Sequence, residues 1–251
     1  MIRNIIIAHR GESYDAPENT LTAINLAWER NVKAVEIDIQ LTSDNEIVVI
    51  HDYNTLRISG KKKVIKSSSF KELKILNAGF FKVGTWDNEH IPKLSEVLAT
   101  VPPGRKLIIE IKSDDSILPK LVQELSNSNL KSTQIEIIAF DANTLFKAKK
   151  LMPDYRMLWL LSLDYSLPKW LVWVNRKRII NKVKKLKLDG VNVWAGELLT
   201  QSFISEFKKE GLLVYSWTVD NPEKAITLIE IGIDGITTNR AGWMINQLKI
   251  D

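Results

Sequence analysis

The sequence predicts an α/β chain, a TIM (β/α)8 barrel with a small insertion after the second barrel strand. Three observations carry this reading. Short β-branched runs alternate with longer amphipathic runs, eight of each fit into 251 residues, and polar residues suited to chemistry begin where apolar runs stop. Strict alternation is the pattern of a parallel sheet with helical crossovers, and about 250 residues is the usual size of the closed eight-unit form. A doubly wound open sheet would use fewer units, and no Gly-rich dinucleotide loop follows the first run. Residues 1–251 therefore read as one domain.

The strand candidates are Ile2 to Ala8, Ala34 to Ile39, Lys106 to Ile111, Gln134 to Ala139 and Arg156 to Leu161, followed by Asp189 to Val193, Leu212 to Trp217 and Asp234 to Thr237. Each is short, and most are rich in Val and Ile. The helix candidates lie between them: Asn19 to Asn31, Leu94 to Thr100, Ile117 to Asn127, Ala142 to Leu151, Asn175 to Leu186, Gln201 to Glu210, Pro222 to Ile231 and Ala241 to Leu248. Asn19 or Thr20 serves as the first N-cap.

Two interruptions break the alternation. Ile37 to Leu41 and Ile47 to Ile50 are strand-like and too close for a helix, so a tight antiparallel turn must join them. A two-residue loop at Asp44-Asn45 would pair Ser43 with Glu46 and Thr42 with Ile47, and so set His51 opposite Asp38. The second interruption runs from Tyr53 to His90. It contains Lys61-Lys62-Lys63 and Ser67-Ser68-Ser69 and no barrel unit, and reads as an insertion over the catalytic end. The lysine run is expected to be a solvated turn, and His90 an exposed insertion residue.

Composition narrows the function classes. Hydrophobic residues at 45% and charged residues at 26% are ordinary for a globular chain. No run reaches the roughly 18 apolar residues of a membrane span; Leu158 to Val174 is broken by Asp164, Pro168 and Lys169. Ile5-Ile6-Ile7 is too short for a secretory core and runs straight into His9, so no signal peptide is expected. Zero cysteines exclude disulfides, thiolate nucleophiles and cysteine-ligated metals, and fit a cytoplasmic location. A net charge of +5 is too weak to imply nucleic acid, although it helps attract anions.

Several residues could do chemistry. His9 follows Ile5 and Ile7 at period two and should face inward, with Arg10 beside it. Glu36 and Asp38 share the inner face of the second strand, and Glu110 and Lys112 repeat the arrangement on the next. Three carboxylates converging at one end make a hard-oxygen site suited to Mg²⁺ or Ca²⁺. The structural alternative is a set of internal ion pairs, such as Glu110 with Lys112. Two histidines with an arginine, a lysine and excess carboxylate point to an enzyme acting on a phosphate ester. Glu18 leaves the same strand end as His9 and could reach the site. Tyr215 and Trp217 share a face on the seventh barrel strand, and Trp217, at the strand end, is a candidate wall for a substrate pocket.

His9-Arg10-Gly11, Pro17-Glu18-Asn19-Thr20, Glu36-Ile37-Asp38, Leu41-Thr42-Ser43-Asp44, His51-Asp52 and Glu110-Ile111-Lys112 together closely resemble the glycerophosphodiester phosphodiesterases. The likeness continues through Ile91 to Leu98, Phe140-Asp141 and Trp217-Thr218-Val219, so it spans essentially the whole chain. The resemblance implies a barrel of the phospholipase-C-like superfamily, with a divalent cation on Glu36, Asp38 and Glu110. It implies acid and base roles for His9 and His51, in an order left open, and phosphate binding by Arg10 and Lys112. The reaction so implied yields sn-glycerol 3-phosphate and an alcohol; in one route the substrate's own 2-hydroxyl attacks first and water opens the cyclic phosphate.

Three departures stand out. Glu12 occupies a place where small residues are common and is expected to tune metal or substrate preference. Asn45 replaces a frequent Gly, and Thr238-Asn239-Arg240-Ala241 replaces a commoner Thr-Asp-x-Pro; both read as conformational. Rival functions are a lysophospholipase D, for which Leu158 to Val174 would have to wall an acyl groove, and a catalytically silent phosphodiester- or membrane-binding barrel. Trp159, Trp170 and Trp173 beside the Arg176-Lys177-Arg178 run would suit a weak peripheral membrane contact. A solvated helix face is the plainer alternative, and oligomeric state is left open.

Overall fold

A computed structural model describes residues 5–84, 86–162 and 169–248, the side chains of 169–175 excepted. Nine strands are described: β1 (Ile6–His9), β2 (Ala34–Leu41), β3 (Ile47–Val49), β4 (Lys106–Ile111), β5 (Ile135–Ala139), β6 (Arg156–Leu161), β7 (Gly190–Trp194), β8 (Leu213–Trp217) and β9 (Gly235–Thr238). Their order is β1-β9-β8-β7-β6-β5-β4-β2-β3, and β1 also pairs with β2, which closes a parallel eight-stranded barrel with β3 outside it. β1 runs along β2 from Ala34 to Glu36, and β3 takes up β2 antiparallel from Ile39 to Leu41. The expected fold class is therefore the observed one.

Alternation at period two sorts the strand side chains. Val35, Ile37, Ile39, Leu107, Ile109 and Ile111 face outward and pack under the helices. Ile7, Ala34, Ile108, Ile138, Leu158, Leu160 and Tyr215 fill the interior. The helices begin where polar caps satisfy free backbone N–H groups. Thr20, Asp141, Thr200 and Asn221 each accept from a backbone N–H in the first turn of the helices at Leu21–Glu29, Ala142–Leu151, Gln201–Lys209 and Pro222–Glu230. Asn19 itself stands outside the first helix, with φ +59°.

Between β3 and the short helix Leu94–Leu98 lies the insertion, with helices at Leu56–Ser59 and Phe70–Lys74. It has its own small core of Ile58, Ile65, Leu73, Leu76 and Ala78, built on Val48, Ile50 and Ile91. Lys61, Lys62 and Lys63 are exposed, as is His90.

The hairpin register differs from the expectation by one residue. Leu41 pairs with Ile47, Gln40 with Val48 and Ile39 with Val49, and the Ile50 N–H donates to the Asp38 carbonyl at 2.9 Å. Asp38 thus faces Ile50, not His51. The cause is a three-residue loop: Thr42 N–H donates to the Glu46 carbonyl at 2.9 Å, and Asn45 absorbs the reversal at φ +59°. A one-residue change in loop length shifts every pair on the strand.

No described helix is long and apolar enough to cross a membrane. Trp159 is half-buried, donates its indole N–H to the Phe140 carbonyl at 2.9 Å and lies under Lys182. Residues 163–168 and the side chains of Trp170 and Trp173 fall outside the described residues, and with them most of the proposed acyl wall.

Candidate active site

The C-terminal ends of the barrel strands enclose a cavity of about 260 Å³. His9, Arg10, Glu36, His51, Glu110 and Lys112 form one side. Ile138, Phe140, Leu160 and Trp217 form an apolar arc opposite, with Asn192, Thr218 and Thr237 between. Parallel register sets these neighbours: β1 brings His9 beside Glu36, and β4 brings Glu110 beside Asp38. A larger groove of about 530 Å³ lies on the outer face, but its charged residues Glu46, Lys93, Lys120 and Glu124 already form ion pairs among themselves. It lacks the convergent histidines and arginine of the strand-end cavity.

The His9-Arg10-Gly11 turn is shaped by two residues in the left-handed region, Arg10 at φ +57° and Gly11 at φ +78°. A Cβ on Gly11 would come within 2.5 Å of the Ala23 backbone, so glycine is required there. The turn aims the Arg10 N–H at Glu36 Oε2, 3.0 Å away. The Arg10 guanidinium then bridges Asp38, at 3.1 Å through Nε, and Glu18, at 2.8 Å through Nη1. Lys112 reaches Glu110 at 2.7 Å and Asp38 at 3.5 Å. Asn19 completes the shell: its Nδ2 donates to Asp38 Oδ2 at 2.9 Å, and its Oδ1 accepts the Asp38 N–H at 3.2 Å.

Glu36, Asp38 and Glu110 each offer an oxygen within 4.8 Å of the others. All three are buried, and Glu36 Oε1 has no hydrogen-bond partner among the described residues. Burial and the charges of Asp38 and Glu110 push the Glu36 carboxyl well above its ordinary range. Burial and Asp38 likewise push Glu110 up to about 7. Burial acts against charge on Asp38 too, but Arg10, Lys112, His51 and Asn19 outweigh it and hold that carboxyl low. Two cations thus face three carboxylates, and the surplus charge with an orphaned oxygen is what a hard divalent cation would satisfy.

The two histidines are held differently. Asn239 Nδ2 donates to Asp220 Oδ2 at 2.6 Å, which fixes the amide so that its Oδ1 faces His9. His9 Nδ1 must therefore be the donor in the 2.7 Å contact with Asn239 Oδ1. In the neutral ring Nε2 then carries the lone pair, and it lies 4.0 Å from Glu36. Burial and the neighbouring Arg10 charge lower the His9 pKa to about 4. His51 Nδ1 contacts the Asp52 carboxylate at 2.7 Å. The chain is curled there by Gln40, whose Nε2 lies 2.8–3.1 Å from the carbonyl oxygens of Ile50, His51 and Asp52. That curl, and not cross-strand pairing, turns His51 into the cavity.

Of the residues singled out from the sequence, His9, Arg10, Glu36, His51, Glu110, Lys112 and Trp217 line the cavity, and Asp38 lies fully buried among them. Glu18 does not line it; it lies behind Arg10. Glu12 points away from the site. Its Oε1 accepts the Gly242 N–H at 2.5 Å near the start of the last helix, and its Oε2 faces Arg30 at 3.4 Å. The expected influence of Glu12 on metal or substrate is replaced by a helix-capping role. Asn45 is conformational, as read, but Asn239 touches His9 directly. The sequence assigns Asn19, Gln40, Asn192 and Asn239 no role at the site; neutral amides carry no charge pattern that marks them.

Comparison with known proteins identifies the family. The model of the glycerophosphoryl diester phosphodiesterase family matches residues 9–242. A glycerophosphodiester phosphodiesterase of Caldanaerobacter subterraneus subsp. tengcongensis is 29% identical over 253 residues, covering 99% of both chains. A phosphodiesterase of Oleispira antarctica, solved in complex with the product sn-glycerol-3-phosphate, is 26% identical with a TM-score of 0.87, covering 98% of this chain and 96% of its own. The glycerophosphodiester phosphodiesterase of Thermotoga maritima shares the fold at a TM-score of 0.78 and 24% identity, covering 97% of both chains. This chain belongs to the glycerophosphoryl diester phosphodiesterase family.

Proposed function

We propose that this protein is a divalent-metal-dependent phosphodiesterase that hydrolyses glycerophosphodiesters to sn-glycerol 3-phosphate and an alcohol. The observation that carries the reading is the meeting of two imidazoles, two cations and a three-carboxylate cluster around one cavity. The product complex of the Oleispira phosphodiesterase supports the same ligand class here. A phosphodiester is already anionic, so attack needs charge neutralisation, a proton acceptor for the nucleophile and a proton donor for the leaving oxygen.

Glu36, Asp38 and Glu110 would hold the cation, which when bound polarises a phosphoryl oxygen as a Lewis acid. Arg10 and Lys112 bind the phosphate. Their pairing with Asp38, Glu18 and Glu110 keeps both side chains in place before substrate arrives. His9, with Nδ1–H committed to Asn239, offers Nε2 as the proton acceptor. His51, its Nδ1 held by the Asp52 carboxylate, donates the proton to the leaving oxygen. Asn192 Oδ1 is buried in the cavity wall without a hydrogen-bond partner among the described residues, and accepts from a substrate hydroxyl. The apolar arc of Phe140, Leu160 and Trp217 covers the carbon skeleton.

The test is release of glycerol 3-phosphate from glycerophosphocholine with and without Mg²⁺ or Ca²⁺. His9→Ala and His51→Ala are each expected to lose about 100- to 10,000-fold in kcat with folding intact. Activity surviving both substitutions would sink the acid–base reading. Lysophosphatidylcholine run in parallel separates the lysophospholipase D alternative.

A further inference from the structure

One side chain of the insertion reaches into both catalytic loops. Arg57, on the helix Leu56–Ser59, donates through Nη1 and Nη2 to Glu18 Oε2 and Oε1 at 2.9 and 2.8 Å. The same guanidinium donates through Nε and Nη2 to Asp52 Oδ2 and Oδ1 at 2.7 and 3.2 Å. Each carboxylate hands the connection on: Glu18 Oε1 to Arg10 at 2.8 Å, and Asp52 Oδ1 to His51 at 2.7 Å. Glu18 comes from the loop after β1, and Asp52 from the turn after β3, so the barrel alone gives them no common support. The guanidinium lies over the Phe81 ring, 5.4 Å from its centroid, and Phe81 packs on the insertion's own core.

The arrangement is elaborate for a stabilising contact. Arg57 is 41% exposed, and exposed ion pairs contribute little to stability because water screens them and ordering long side chains opposes them. Its geometry is what a rigid planar fork does best, gripping two carboxylates at fixed separation. A lysine ammonium, a point charge on a flexible stem, could not hold both.

We propose that Arg57 is a positioning residue, which sets the His51 imidazole and the Arg10 guanidinium at a fixed spacing for one substrate phosphate. The insertion, and not the barrel, thereby adjusts the proton-transfer side to the phosphate-holding side. The proposal rests on the phosphodiesterase reading above.

Arg57→Met keeps the stem over Phe81 and removes the fork. It is expected to lower kcat by about 10- to 100-fold, the scale of losing an outer contact that orients a working group, while its melting temperature stays near wild type. Arg57→Lys should recover little. Free guanidinium at millimolar concentration should restore Arg57→Ala more than it restores Arg57→Met, whose side chain occupies the gap. A kcat of Arg57→Met indistinguishable from wild type would overturn the proposal. So would a loss that follows melting temperature and does not respond to guanidinium. The ring ¹⁵N resonances of His51, read without substrate, give a second measurement. They should move in Arg57→Met while those of exposed His90 do not; unmoved His51 resonances overturn the tether. Were wild type to cleave no glycerophosphodiester, the functional reading would fail and this spectroscopic result would still decide the tether.

Discussion

Glu136, at the N-terminal end of the barrel interior, and the Glu36–Asp38–Glu110 cluster, at the C-terminal end, are both buried carboxylate sites on inward-facing strand positions. At the first, one carboxylate meets two cations: Lys106 at 2.7 Å and Arg156 at 2.9 Å. At the second, three carboxylates meet Arg10 and Lys112. Lys106 and Arg156 are also partly open to solvent, so their charge is not stranded. In the lower layer the carboxylate charge is therefore matched by cations, both of them on Oε1, although Glu136 Oε2 has no hydrogen-bond partner among the described residues. The upper layer has three carboxylates to two cations and is left with surplus negative charge. Buried ionic groups by themselves do not mark a site; their balance does. The contrast agrees with the usual division of this fold, in which the C-terminal face works and the N-terminal face stabilises.

Substitution at each layer should separate the two. The largest effect is expected from Glu36→Gln, which removes the carboxylate least supported by the fold. Loss of about 1,000-fold or more in kcat/KM, equivalent to about 4 kcal/mol of transition-state stabilisation, should come with lost metal affinity. Stability without metal should be equal or higher, because a buried repulsion has been relieved. Glycerol 3-phosphate release and melting with and without divalent cation measure both. A Lys106→Met/Arg156→Met pair should do the reverse. It leaves Glu136 buried without a cation, so denaturant unfolding should show a loss of about 3–5 kcal/mol with kcat unchanged. A large loss of kcat in that folded variant would mean that the layers are coupled.

The smallest effect is a pH slope. Burial and the Asp38 charge raise Glu110 to about 7 in the folded protein, above its unfolded value of about 4.3. Between those values the folded state binds more protons than the unfolded one, so metal-free stability falls as pH rises from about 4 to 7. Excess divalent cation should counter the slope and raise stability toward the upper end of that window. Glu110→Gln should flatten the metal-free slope. An unchanged slope in Glu110→Gln would place the titration elsewhere.

Much of this was legible before any tertiary contact was known. The bounds of β4 and β6 and of the helix Ala142–Leu151 are the expected ones, because a short apolar run and an amphipathic run each announce themselves locally. The strand ends shifted by a residue or two where Gly or Asp opens the run, as at Gly190 and Gly235. The hairpin register was misread because Asp44-Asn45 looks like a two-residue turn. Thr42 instead closes a three-residue loop: its hydroxyl accepts the Glu46 N–H at 3.0 Å. Glu12 was placed by adjacency to His9-Arg10-Gly11, and the reversal at Gly11 turns it to the other side.

What the sequence determined by itself is which side chains face inward. Period two is fixed by backbone geometry, so Glu36 with Asp38, and Glu110 with Lys112, had to project together once their runs became strands. Which groups then meet was decided only by closure of the barrel and by loop conformation. Pairing of Ala8 with Thr238 across β1 and β9 brings Asn239 to His9 from 230 residues away. Arg57 reaches Glu18 across 39 residues because the insertion folds back on its own core. Local alternation carries no information about either distance, and so the partners that orient the two histidines belong to the tertiary structure alone.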